Sequence, residues 1–146
     1  MGSKGERLLQ EKYGSNDRAN NFYERQVYGY LTEKMKALIQ QQEMVFIATS
    51  DEKGNCDCSP RFGRPGFIVM LDKKTIAYPE FRGNGVLASL GNIHENQHIG
   101  LLFIDFTKTT VGLHINGSAE IHEPPSSLAA LCHKAVSYAH LRAHEP

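Results

Sequence analysis

Residues 94–98 read His94-Glu95-Asn96-Gln97-His98. This is the H-E-x-x-H spacing in which two imidazoles one helical turn apart hold zinc and the carboxylate between them activates water. That chemistry needs helix to run unbroken through His98. Asn92 and Asn96 are poor helix-interior residues, and Ile99 to Phe106 has strand character. The helix is therefore expected to stop near Asn96, with His98 opening a strand and pointing elsewhere. A zinc hydrolase of this kind also draws a third ligand from a downstream helix, where strands are expected here. The motif reads as a coincidence, with His94 a helix-terminal histidine set against the dipole. Cys56 and Cys58 share one face of a strand and are expected in the core, because free cysteine is among the most buried residue types. His140 and His144 stand four apart in an atypical C-terminal stretch and are assigned no site.

A stronger case for chemistry lies in "IAYPEFRGNGVLASLGNIHEN". A strand ending near Tyr78-Pro79 runs into the turn Arg82-Gly83-Asn84-Gly85, and a helix is expected to open at about Gly85. Bare N–H groups at a helix start attract an anion, and glycine lets a phosphate approach the backbone closely. Arg82 adds a fixed cation with bidentate geometry. Asn84 is expected to cap the helix and still donate a side-chain N–H. A capped turn with a solvated arginine explains the same letters. In "NCDCSPRFGRPGF", alternation places Asp57, Ser59 and Arg61 on one face and Cys56, Cys58 and Phe62 on the other. The polar face suits a cofactor held through Ser59 and Arg61, or a strand with one side in water. His114, Asn116 and Ser118 alternate in the same way in "GLHINGSA", as a ligand-facing strand or an exposed edge.

The elements that must position these residues follow from periodicity. Residues 17–42 carry apolar residues at helical spacing, with a break at Gly29 and Thr32 as the cap of a second helix. From Glu43 the period shortens: "MVFIATS", "CDCSPRF", "FIVML" and "IAYPEF" read as strands joined by turns such as "DEKGN" and "DKKT". One helix follows, then "IGLLFIDF" as a strand buried on both faces, then one or two strands over "TTVGLHINGSAEI". The order gives an α+β fold around a mostly antiparallel sheet, of a kind that closes into a small barrel. The expected division is an N-terminal helical segment (1–42), a strand-rich domain (43–123) and an irregular tail (124–146). The tail's ending resembles translated adapter sequence more than the close of a domain.

The 146 residues carry 16 basic and 16 acidic side chains, so no global charge attracts nucleic acid or an anionic membrane. No stretch approaches 18 apolar residues, and the start of the chain has no apolar signal region, so no membrane span or export is expected. Three cysteines, an odd number, fit reduced thiols and a cytoplasmic location.

Taken together, "GERLLQEKYG", "RANNFYERQV", "MVFIATSDEKGNCDCSPRFGRPGF", "LDKKTIAYPEFRGNGVLASLGNIHENQHIGLLFIDF" and "GLHINGSAEI" resemble the pyridoxamine 5'-phosphate oxidase-like family of FMN-binding split barrels. The likeness is to its subgroup of FMN-dependent enzymes of unassigned substrate, and "YPEFRGNG" joined to "LGNIHEN" is its most specific part. The resemblance implies a six-stranded antiparallel split β-barrel with N-terminal helices and one helix inserted between strands, forming a homodimer with FMN between the subunits. It implies a phosphate site at Arg82, Gly83, Asn84 and Gly85, and ring and ribityl contacts from Ser59, Arg61, Tyr78 and Pro79. It implies an FMN-dependent oxidoreductase acting on a small molecule, or a flavin-binding protein without turnover. No catalytic acid or base is assigned, with His114 a candidate proton donor near the ring. Relatives of this subgroup continue into a final strand that the sequence does not reveal after residue 123, so an open sheet edge is expected.

Overall fold

The computed structural model describes residues 2–123 in full and the backbone of residues 135–143. The described residues divide into two compact units, 2–29 and 30–143.

The first unit is a pair of helices, α1 (Lys4–Lys12) and α2 (Asn16–Gln26). Ser3 opens α1 with a capping box: its hydroxyl accepts the Glu6 N–H, and the Glu6 carboxylate accepts the Ser3 N–H. Arg7 donates to Asn20 at 2.8 Å and stacks over the Tyr23 ring, which ties the two helices together.

In the second unit, Thr32 caps α3 (Glu33–Gln41), accepting the Met35 N–H at 3.3 Å, as its position after Gly29 predicts. Seven strands follow: β1 (Met44–Ser50), β2 (Cys56–Phe62), β3 (Val69–Met70), β4 (Thr75–Phe81), β5 (His98–Ile104), β6 (Gly112–His122) and β7 (Ala135–Ala143). Helix α4 (Ala88–Glu95) is inserted between β4 and β5. All pairings are antiparallel and the order is β2-β1-β5-β6-β7-β4-β3. The tight β1–β2 turn is fixed by Asp51, whose carboxylate accepts from the backbone of Lys53 and Asn55, while Gly54 takes the left-handed conformation.

The α+β class and the antiparallel sheet are as expected. Among the described residues the strands number seven and not six, because Ala135–Ala143 forms β7 between β6 and β4 in a stretch the sequence analysis left irregular. His140 falls within β7 and His144 lies outside the described residues. "FIVML" supplies only the two-residue strand β3. Among the described residues the sheet does not close by backbone pairing: β2 and β3 are its two ends. It rolls nonetheless: Arg61 of β2, at one end of that order, and Glu80 of β4, next to the other end, form an ion pair at 2.6 Å.

The core sits inside this curve. Val45, Ile47, Ile76, Tyr78, Ile99, Leu101, Phe103, Ile115 and Ala119 are buried along the strands, with Leu31, Ile39, Ile68 and Ile93 packed against them. β5 is not buried on both faces as its continuous apolar run suggested. Ile99, Leu101 and Phe103 point inward, and Gly100, Leu102 and Ile104 are only half-buried.

Candidate functional site

Strand β2 pairs Thr49 with Asp57, Ile47 with Ser59 and Val45 with Arg61. Residues directly opposite on paired strands share a face, so the polar face of β2 continues the inner, buried face of β1. Cys56 and Cys58 consequently lie on the outer face and are exposed, which corrects the expectation of core cysteines. Phe62, at the end of the strand, is exposed at the rim of the cleft described below. The inward turn of a polar face is possible because α4 and β4 supply partners for it.

Those partners form one chain of hydrogen bonds. Glu80 is 5% exposed. It accepts from Arg61 Nε at 2.9 Å and pairs with Arg61 Nη2 at 2.6 Å, a bidentate geometry that fixes the guanidinium. Burial pushes the Glu80 carboxyl up from its ordinary value, and the Arg61 guanidinium opposes that shift. Arg61 Nη1 donates to Ser59 Oγ and to the Pro60 carbonyl, each at 3.0 Å. Ser59 in turn reaches the buried Ser89 Oγ at 3.3 Å, and the Ser89 hydroxyl donates to Asp57 Oδ2 at 3.2 Å. Arginine, two serines and two carboxylates are thereby locked in order across β4, β2 and the first turn of α4.

Between β4 and α4 the chain bends at Arg82–Leu87. Gly83, Gly85 and Leu87 all adopt positive φ (52°, 82° and 56°), so helix cannot begin at Gly85 as expected; it opens at Ala88. Asn84 does not cap it. Its Oδ1 accepts the Val86 N–H at 3.0 Å inside the bend, and no side chain caps α4. The first amides of α4 and the Arg82 guanidinium are thus both uncommitted among the described residues.

These pieces surround a cleft of about 520 Å³ lined by Asp57, Ser59, Arg61, Glu80, Arg82, Gly83, Asn84 and Ser89, with Pro60, Phe62, Phe81, Val86, Leu87 and Ala88 completing the wall. Five of the eight residues singled out from the sequence are brought together here: Ser59, Arg61, Arg82, Gly83 and Asn84. Tyr78, Pro79 and Gly85 are not in the lining. Tyr78 and Pro79 are buried in β4, and Tyr78 belongs to the core cluster. Burial also raises the pKa of the Tyr78 phenol. His114 is exposed, opposite Leu102 on β5, and is outside the cleft. Glu80 and Ser89 were not singled out from the sequence. The signal for Glu80 was a carboxylate inside the apolar strand "IAYPEF", which can be buried only against a cation.

At the far end of α4 the helix stops at Glu95, and Asn96 takes extended angles (φ −142°, ψ 108°). His98 is the first residue of β5, so His94 and His98 do not share a helical turn.

A strand–bend–helix element facing a polar strand across one cleft matches a known architecture. The sequence pattern of pyridoxamine 5'-phosphate oxidase fits residues 31–144. The chain belongs to this family. The match includes β7 and runs past residue 123, where the sequence analysis had ended the domain. No curated protein matches the chain in sequence. Among solved structures it is similar to HupZ from Group A Streptococcus, with 25% identity, a TM-score of 0.60 and coverage of 78% of this chain and 90% of that one. HutZ, described as a heme storage protein from Vibrio cholerae, aligns with 14% identity and a TM-score of 0.58 over 80% of this chain and 92% of that one. An FMN-binding protein from Syntrophomonas wolfei aligns over 98% of this chain and 95% of that one, with 13% identity and a TM-score of 0.53. The last two likenesses speak to the fold.

Proposed function

We propose that the cleft binds FMN and that the protein is an FMN-dependent oxidoreductase acting on a small molecule. The reading rests on one observation: the Arg82–Asn84 bend, the uncapped start of α4 and the Ser59–Ser89 hydroxyls line a single cleft. In this reading Arg82 and the first amides of α4 hold the dianionic phosphate. Asp57, Ser59 and Ser89 offer hydrogen-bonding groups to a hydroxylated chain, and Phe62, Phe81, Val86 and Leu87 offer apolar surface to a ring. Arg61 plays a positioning part, because Glu80 already neutralises its charge. The flavin supplies the two-electron chemistry, and the protein supplies orientation and exclusion of water.

A heme reading, raised by the likeness to HutZ, is less well supported by this lining. Among the described residues the lining contains no His, Met, Cys or Tyr, the side chains that ligate heme iron. Arg82 is also the one lining cation not already paired with a carboxylate among the described residues, whereas a porphyrin carries two propionates.

The homodimer belongs to the same proposal. The cleft's rim exposes Phe62 (62%), Val86 (71%), Phe81 and Leu87, and apolar residues grouped beside a site are the surface a second copy would cover. No helix among the described residues is long and apolar enough to cross a membrane; a cytoplasmic location remains part of the proposal.

The test is retention of yellow flavin after mixing with FMN and desalting. Arg82→Ala is expected to weaken FMN binding about 10- to 100-fold, since a charge-assisted contact contributes roughly 1.5–3 kcal/mol. Full affinity in that variant, or no retained flavin in the parent, would overturn the assignment. Steady-state oxidation of reduced nicotinamide by the flavin-loaded protein separates an enzyme from a carrier.

A further inference from the structure

The outer face of β2 carries a second constellation, on the side of the strand away from the cleft. Cys56 and Cys58 are both exposed and both free. They stand two residues apart on an extended strand, so their side chains leave the same face. The residues opposite them on β1 are Ser50 and Ala48, both small side chains, and the Ser50 hydroxyl already accepts from Asn96 at 2.8 Å. The Cys56 thiol rests 3.5 Å from the Gly54 carbonyl of the adjoining turn, a weak contact that a better partner displaces.

A direct disulfide does not suit this geometry. Two residues of strand separate the Cα atoms by about 6.6 Å, with the Cβ atoms similarly spaced, whereas a disulfide requires Cβ atoms roughly 3.5–4.5 Å apart. One atom placed between the sulfurs does suit it. At a metal–sulfur distance of about 2.3 Å, a near-linear S–metal–S unit spans roughly 4.6 Å. The two Sγ atoms reach that separation by turning toward each other along the strand, with the β1–β2 ladder intact.

The coordination number selects the ion. Zinc takes four protein ligands in structural sites, and no group of three or more His, Cys, Asp or Glu side chains able to hold a metal occurs among the described residues. Two thiolates alone satisfy a soft ion of low coordination number. We propose that Cys56 and Cys58 form a two-thiolate site for a soft, two-coordinate metal ion of the Cu(I) type. Each thiol releases its proton to solvent as it ligates, and no electron changes hands.

The test uses the full chain, reduced and kept under inert gas, titrated against Cu(I) held by a coloured bidentate chelator. The parent is expected to withdraw one Cu(I) per chain. Cys56→Ser and Cys58→Ser are each expected to lose that uptake while keeping the parent's circular dichroism, and Cys132→Ser is expected to retain it. Failure of the parent to compete, or uptake that survives either β2 substitution, would overturn the proposal. So would an uptake of one ion per two chains, or loss in the Cys132 variant, since either places the ligands elsewhere.

Discussion

Replacing Glu80 by Ala would leave the Arg61 guanidinium half-buried beside Ser59 Oγ and the Pro60 carbonyl, with no counter-charge. Breaking a buried ion pair by removing one partner costs about 3–5 kcal/mol. The Arg61 side chain is 16% exposed and that of Glu80 is 7%. Water can therefore reach the orphaned cation in part, and the lower end, about 3 kcal/mol, is the expected loss. For a domain of this size it corresponds to a fall in Tm of roughly 10 °C. Arg61→Met should cost a similar amount, because Glu80 would then be buried alone. The double substitution Arg61→Met with Glu80→Leu should recover most of the loss, since well-packed apolar residues can replace a buried pair. Thermal and urea unfolding of the four proteins gives the coupling energy directly. A Glu80→Ala cost under about 1 kcal/mol, or a double variant no more stable than either single one, would refute the view that this pair holds β2 against β4.

The Tyr78 hydroxyl is buried and finds no hydrogen-bond partner among the described residues. Tyr78→Phe removes an unsatisfied polar group and should leave urea stability unchanged or raise it by up to about 1 kcal/mol; a loss of 1 kcal/mol or more would show that the hydroxyl is satisfied. Asp105 accepts from the backbone N–H groups of Lys108, Thr107 and Thr109 and from the Thr109 hydroxyl, which together hold its carboxyl well below the usual range. Because the folded state depresses this pKa, its stabilisation is present above the ordinary value of 3.8 and fades as pH falls through the depressed one. Asp105→Ala should therefore melt below the parent at pH 7, with the gap narrowing below pH ~3.8, as followed by Tm across a pH series.

How far the sequence disclosed this arrangement depended on whether the deciding contact was local. Thr32 announced α3 because a cap lies within three residues of what it caps. The alternation of Asp57, Ser59 and Arg61 was plain, since period two is a property of one strand. Which side of that strand faced inward was not, because it depends on Glu80 and Ser89, 19 and 30 residues away from their partners Arg61 and Ser59. The usual preference of cysteine for the interior gave the wrong side. The bend was recognised and its length was not: Leu87 at φ 56° is a non-glycine residue in a left-handed conformation, which sequence rules do not anticipate. β7 was missed because three of its nine residues are alanine, which carries little strand propensity, and its place comes from pairing with β4 and β6 on either side.

The junction between β2 and β4 is made by side chains and not by a ladder, and this bears on how a ligand could enter. A barrel zipped shut by main-chain bonds can widen only by forfeiting several of them at once. Here the neighbours of the gap keep their own ladders, β2 on β1 and β4 on β7 and β3, whatever the width between them. Releasing the Arg61–Glu80 pair and the hydroxyl contacts of Ser89 to Ser59 and Asp57 frees one wall from the other. A guest the size of a nucleotide can thus be admitted by a local parting, with the hydrophobic interior left undisturbed.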